Sequence, residues 1–323
     1  MSTATPHRVQ DVTAASGEAS AVAAPPRRRR ARSQRSAYLF LAPWILGALL
    51  LTIGPMVASL YLSFTDYDLF ESPRWVGLEN YRRLFTQDAH FWAAVRVTLR
   101  YVLLSVPLQL AVALGVALLL NRPRKGVGFY RSAFYAPSLL GASISLALAW
   151  RALFATGGTV PRVLGAIGID TGGWTDSPRY AIYAVIALAV WQFGAPMVIF
   201  LAGLKQIPRD LYEAAALDGA GPVRQFRSIT LPMLTPVLLF NLVLGIIHAF
   251  QAFTGAYVIS GGRGGPSDST LLYTLYLYQR GFTDFKMGSA SAMAWLLLVV
   301  IGLVTAALFA SSRRWVYYAG EDH

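Results

Sequence analysis

The sequence predicts an all-α membrane protein with six transmembrane helices, and three observations carry that prediction. Apolar residues make up 55% of the 323-residue chain while Asp, Glu, Lys and Arg make up only 14%, against about a quarter in ordinary soluble domains. The charge is clustered, so six long windows contain none of those four residues: 37–65, 101–120, 133–150, 180–204, 231–262 and 287–312. Each reaches or approaches the roughly 20 residues that a helix needs to cross the hydrocarbon core. The runs are also continuous and rich in Leu and Ala, unlike the alternating strands of a membrane barrel.

The first window follows a tail, residues 1–36, rich in Ala, Ser, Thr and Pro without an apolar period, and this tail is expected to be disordered. Seven arginines lie there (Arg8, Arg27 to Arg30, Arg32 and Arg35), and they supply much of the net charge of +12. A basic run just before a span holds the N-terminus in the cytoplasm and favours an anionic leaflet of the lipid bilayer, so no nucleic-acid partner is expected. The apolar run behind it is too long for a cleavable signal peptide. Ahead of the second window, 79–100 reads as one or two surface helices, with Tyr81, Leu84, Phe85, Phe91 and Trp92 on a face suited to the membrane interface. The third window is completed by 152–155 if Arg151 turns toward the headgroups. Alternation then puts the 121–132 loop, the 205–230 loop and the C-terminal tail, 313–323, in the cytoplasm, leaving 37–312 as the transmembrane domain. Arg122, Arg124, Lys125 and Arg131, with no acid among them, agree with that side for the 121–132 loop.

The 205–230 loop is the most informative segment. Asp210 with Glu213 three residues later reads as a capping box, predicting a helix from Leu211 with Glu213 in its first turn. Gly219 and Gly221 can end that helix in a left-handed conformation, and Pro222 suits the first position of a second short helix holding Val223, Phe226 and Ile229. The residues alone leave two readings: a hairpin that ties two spans together, or a small-sided helix that another surface approaches closely.

Spacing favours the second. Glu213-Ala214-Ala215, three residues, Gly219, nine residues, Ile229, one residue and Leu231-Pro232 resembles the EAA motif of binding-protein-dependent ABC importer permeases, and Asp218 with Ala220 fits its common extension. Trp75-Val76-Gly77-Leu78-Glu79-Asn80-Tyr81 with Phe91-Trp92 looks like the first outer loop of the carbohydrate-uptake type (maltose, MalF-like, and glycerol-phosphate permeases). Arg131 with Phe134-Tyr135-Ala136-Pro137, and Gly264-Gly265-Pro266 with Thr270, fit that type too, although Gly261-Gly262-Arg263 lengthens the fifth outer loop beyond its pattern. The resemblance, over residues 37–312, implies the type I ABC importer permease fold in a bacterial cytoplasmic membrane. It implies four kinds of association: a second homologous permease subunit, two ATP-binding subunits, an extracytoplasmic solute-binding protein and the bilayer. It also implies that the loop helix enters a groove on the ATPase, with Glu213, Ala214, Ala215, Asp218, Gly219, Ala220, Ile229, Leu231 and Pro232 as the coupling residues.

Other chemistry is poorly provided for. None of Lys125, Lys205 or Lys286 follows a glycine, so there is no phosphate loop of the Walker type. The four histidines lack zinc-protease spacing and there is no cysteine. No cofactor is therefore expected on this chain, which reads as a permease and not an enzyme. An ion-coupled secondary transporter would keep ionisable groups near the midplane, yet the windows hold only His248 deep inside, with Arg151 at the edge of the third and no acid. Uptake driven by ATP or by an ion gradient separates those two, and any uptake at all excludes a mere scaffold. A sugar presents hydroxyls to amides and C–H faces to aromatic rings. Trp150, Trp191, Gln192, Asn241, Phe250, Gln251, Phe253 and Tyr257, with His248, are the candidates for its path; interhelical packing is the other reading of each.

Overall fold

A backbone in hydrocarbon must satisfy its own hydrogen bonds, which is why the apolar windows become helices. The computed structural model describes residues 40–122, 125–141 and 143–317. The basic tail 1–36 and the last residues of the C-terminal tail lie outside the described residues. By packing, the chain divides into Met1–Met56 and Val57–His323.

The first helix, α1 (Phe40–Ser63), has a π-helical turn at Leu49–Ile53. A two-residue antiparallel ladder follows, β1 (Thr65–Asp66) with β2 (Arg74–Trp75), a small addition to an otherwise helical chain. Next, α2 (Glu79–Thr86) is tied to the end of α1 by the buried Asn80 amide, which donates to the Ser63 and Thr65 carbonyls at 2.9 and 2.8 Å. Then comes α3 (Ala89–Asn121), capped by Asp88, whose carboxylate accepts the Phe91 N–H at 3.0 Å. The expected surface region 79–100 thus divides differently: α2 is separate, but Phe91 and Trp92 belong to the first turn of a span running unbroken to Asn121. Asp88 starts the helix there and nothing behind it stops the helix before the apolar window.

The remaining elements are α4 (Val127–Leu140), α5 (Ile144–Phe154), α6 (Thr159–Ala166), α7 (Ala181–Trp191), α8 (Gly194–Gln206), α9 (Arg209–Leu217), α10 (Pro222–Met233), α11 (Thr235–Phe250), α12 (Thr254–Ile259), α13 (Tyr273–Tyr278) and α14 (Met287–Ser312). A π-helical turn, Gln279–Thr283, continues α13. Among the described residues, only α1, α3 and α14 are single helices long and apolar enough to span a membrane. The other candidate spans are bent pairs: α4 with α5, α7 with α8 at 43°, and α10 with α11 at 64°. Counting each pair as one span gives the six that the windows predict.

The breaks have local causes. Gly141, after α4, takes φ +49°, and the Ser143 hydroxyl caps α5. Pro196, in the first turn of α8, has no N–H for the Gln192 carbonyl four residues back, and Pro236 likewise leaves the Pro232 carbonyl free. The Thr235 hydroxyl takes over at Pro232, donating at 2.6 Å.

Around these breaks α3 forms the centre, packed by α7, α8, α11 and α13, while α4 lies on α8 and α5 on α12. Close approach uses small residues, as in membrane helix pairs generally. At Gly194 a Cβ would sit 2.7 Å from the Phe134 carbonyl oxygen, so α8 can begin against α4 only with glycine there. Phe200 and Met197 are fully buried, whereas Leu298, Leu303 and Phe309 of α14 are exposed, as a lipid-facing surface requires.

Candidate functional site

The broken spans meet at a cavity of about 500 Å³. Its wall is made from the breaks themselves: Ser138, Gly141 and Ser143 from the first bent pair, Gln192, Ala195 and Pro196 from the second, and Gln251 to Gly255 where α11 gives way to α12. Irregular backbone at membrane depth is tolerable where it lines a cavity and its polar groups find partners. At the α7–α8 break they do. Gln109 of α3 donates from Nε2 to the Ala189 and Gln192 carbonyls at 2.9 and 3.2 Å. Ser138 of α4 donates to Gln192 O at 3.1 Å and accepts the Ala195 N–H at 3.0 Å. Side chains from two other helices thus replace the backbone donor that Pro196 lacks.

Among the described residues, the lining holds no Asp, Glu, Lys or Arg. Its polar character comes from amides, hydroxyls and His248, set among Val, Leu and Ala side chains. Asn241 is 3% exposed and its Nδ2 has no hydrogen-bond partner among the described residues. It lines the cavity two helical turns from His248, with Gly245 between them packed against Val106 of α3. Such a surface offers hydrogen bonds to a polar solute without an opposing charge.

Of the path candidates, Gln192, Asn241, Gln251, Phe253 and His248 come together on this wall. Trp150, Trp191, Phe250 and Tyr257 do not line it. The Trp150 N–H donates to the Ala184 carbonyl at 3.0 Å and its ring lies 5.6 Å from that of Trp191, while Phe250 is buried in the core. Tyr257 sits one ring beyond Phe253, at 5.3 Å. Sequence reasoning missed Tyr101, Ser105 and Gln109, three polar residues spaced by four in the otherwise apolar stretch 101–120 of α3. That spacing puts them on one helix face and was the available signal.

The second feature is the surface hairpin of α9 and α10. Two expectations need correction. The helix starts at Arg209, after Pro208, and no capping box forms, so Asp210 and not Glu213 occupies the first turn. Gly221 has φ −70° and caps α10 instead of ending α9, whereas Gly219 alone is left-handed, at φ +75°. The end of α9 is a Schellman motif: Ala220 N–H bonds Ala215 O at 2.9 Å and Gly219 N–H bonds Ala216 O at 3.0 Å. Pro222 opens α10 as expected.

The hairpin has a rooted side and a free side. Tyr212 and Ile229 pack on the core, the Tyr212 hydroxyl meets that of Thr230 at 2.9 Å, and Leu231 and Pro232 lead into the next span. Glu213, Ala214, Asp218 and Gly219 are exposed, Ala215 and Ala220 half-buried, and Leu217 is 90% exposed. A large apolar side chain left so open on a surface helix marks a contact surface when others flank it, as Leu211 and Val223 do here.

Broken helices around a charge-free polar cavity, with a small-sided hairpin at one end, define a multi-pass membrane transport component. A family model described as "Binding-protein-dependent transport system inner membrane component" matches residues 92–317, and the chain belongs to that family. It is 51% identical over 286 residues to the probable ABC transporter permease protein YesP of Bacillus subtilis (strain 168), covering 88% of this chain and 93% of that one. It is 34% identical over 273 residues to the trehalose/maltose transport system permease protein MalF of Thermococcus litoralis, covering 83% and 91%. Among solved structures, the fold is similar to a chain of a bacterial alginate ABC transporter in complex with alginate pentasaccharide-bound periplasmic protein. That likeness has a TM-score of 0.75 at 22% identity over 88% of this chain and 96% of the other, a likeness of fold. The chain is an ABC transporter permease of the type I importer fold, a membrane transport component and not itself an enzyme.

Proposed function

We propose that this permease is one half of the membrane-spanning pair of an ATP-driven importer that brings a carbohydrate or related polar solute into a bacterial cell. The cavity at the helix breaks is the solute's passage, with Gln192, Asn241, Gln251 and Phe253 on its wall. The second half is a homologous permease, two ATP-binding subunits dock from the cytoplasm, and an extracytoplasmic binding protein delivers the solute. Both termini are cytoplasmic, as the arginine tail and an even number of spans favour. No cofactor resides on this chain.

The observation that carries the reading is the hairpin: an exposed Glu-Ala-Ala helix, closed by Gly219 and rooted on the core through Tyr212 and Ile229. Held this way, α9 can pass a push from a docked ATPase into α10 and α11, and so to the cavity wall at Asn241 and His248. Carbohydrate is favoured by the neutral, amide-rich wall and by the named solutes of relatives, trehalose, maltose and lactose among them.

The test is co-purification of the ATPase with Gly219→Leu and Glu213→Lys variants, alongside uptake by the reconstituted complex of a panel of neutral and uronate-containing mono- to pentasaccharides. Reduced docking or uncoupled hydrolysis in the variants, with saccharide uptake by the wild type, is the expected result. Normal docking, hydrolysis and uptake in both variants would reduce the hairpin to a connector and remove the main support for the reading.

A further inference from the structure

Four aromatic rings run from the cavity wall through α12 to the turn that follows α13. Phe253 is part of the cavity wall. Its ring centroid lies 5.3 Å from that of Tyr257 and 5.2 Å from that of Tyr278, and Tyr278 stacks on Phe282 at 5.2 Å with 26° between the planes. The strip is assembled from two i, i+4 pairs, one leading into α12 and one spanning the end of α13 and its π-helical turn. The intervening loop locks them together. A Cβ at Gly262 would meet the Tyr257 ring at 3.2 Å, and Gln279 Nε2 donates to the Gly262 carbonyl at 2.8 Å.

Exposure distinguishes this strip from a second run of rings. Trp191, Trp150, Phe154 and Trp174 also follow one another at 5.2–5.6 Å, but Phe154 is buried and the Trp150 and Trp174 N–H groups are engaged. That run is packing. Along the first strip Phe253 and Tyr278 are half-buried, while Tyr257 is 37% and Phe282 59% exposed, so the strip is open at its far end.

We propose that Phe282, Tyr278, Tyr257 and Phe253 form a stacking track that receives pyranose rings at the outer face and passes them into the cavity. The proposal rests on the carbohydrate reading and adds to it a surface and a direction. A pyranose has a C–H face that fits a flat ring and hydroxyls at its rim. Here the exposed Gln251 amide stands at the inner end of the strip to meet those hydroxyls. Neighbouring rings offer nearly equivalent stacking positions, so a sugar can step between them without full desorption.

The chain has no cysteine, which allows a direct test of access. Phe282→Cys and Tyr278→Cys, in the whole transporter in intact cells, are exposed to a membrane-impermeant charged methanethiosulfonate, with Leu298→Cys in α14 as the lipid-facing control. Both track positions should react from outside and the control should not. Uptake is then measured for the saccharide carried best in the panel above. Phe282→Ala and Tyr278→Ala should each raise the half-saturating concentration about 3- to 10-fold, the scale of one lost aromatic contact. Phe282→Trp should restore uptake and Phe282→Leu should not. Unreactive track cysteines would place the strip against lipid and overturn the proposal while leaving the carbohydrate reading intact. Unchanged uptake in both alanine variants would overturn it equally. Failure of the wild type to carry any saccharide in the panel overturns the carbohydrate reading, and the track with it.

Discussion

Asp88 joins the start of α3 to α13 and the turn that follows it. It caps α3, and its other carboxylate oxygen accepts the Tyr276 hydroxyl at 2.6 Å and a hydrogen bond from the Arg280 guanidinium. Burial alone would raise its pKa, but the bonds from Tyr276 and Arg280 outweigh it and hold the carboxyl below the ordinary value. A depressed native pKa contributes stability above the unfolded value of about 3.9, and that stability is lost as pH falls through the native one. Thermal unfolding of the purified protein should therefore show an acid-side loss, near and below about pH 4, that Asp88→Asn abolishes. Asn keeps the capping acceptor but not the charge. Asp88→Ala loses both and should cost about 1–2 kcal/mol more than Asn for the cap alone. Gln109 has a comparable role at the α7–α8 break. Gln109→Leu removes two bonds but leaves Ala189 O to the Gln192 N–H and Gln192 O to Ser138, so it should cost about 0.5–1.5 kcal/mol per lost bond and lower both the unfolding temperature and uptake. In the cavity wall, Gln251→Ala or Phe253→Ala should impair uptake with normal levels of assembled complex. Loss of assembly in their place would identify these residues as packing.

The hairpin behaves as an element because its two ends are set by different physics. Gly219 sits at φ +75°, and a Cβ there would meet nothing within 4 Å. Gly219→Ala should consequently cost only the left-handed strain, about 1–2 kcal/mol. Gly219→Leu adds bulk with room for it in this chain, so a loss of ATPase binding beyond that of the Ala variant measures the docked partner and not the fold. Glu213→Lys tests charge at the same surface. If a desolvated pair forms with the ATPase, losing it should weaken docking by about 2–5 kcal/mol, read by co-purification and by coupled hydrolysis in vesicles. Arg82, on α2 at the other end of the bundle, should have no such effect. The bent spans are elements in the same sense. In each, a proline or a positive-φ glycine opens the helix and a hydroxyl or amide nearby meets the freed backbone group, and at the α4–α5 and α7–α8 breaks the bend also supplies polar wall.

For the whole molecule, orientation is the property most open to test. The arginine tail and six spans predict that reporters fused at the 205–230 loop and at the C-terminus both report cytoplasm. Either one reporting outside would invert the assignment of hairpin and aromatic strip to their faces. The start of α3 is stitched twice: besides Asp88 with Arg280, His90 of α3 meets Asp268 of the 260–272 loop at 2.6 Å. Both contacts tie the start of α3 to the segment that follows α12. That segment carries Tyr278 and Phe282, so the strip is anchored to α3, the longest span among the described residues.

Some of this was written in the chain as local pattern. Charge-free windows determined the spans, because hydrocarbon excludes charge whatever the neighbours are. The Glu213 to Pro232 spacing determined the hairpin and its family, and Gly219 determined its turn, because only glycine adopts that backbone without strain. The bends and the cavity were not legible, since a window of apolar residues reads the same straight or broken. Tyr101, Ser105 and Gln109 became wall residues only when α3 was packed against the α7–α8 break, and Trp150 ceased to be one when its N–H found Ala184. Side-chain identity states what a residue can bond. Which partner it takes depends on helices distant in sequence, and that was decided by tertiary packing alone.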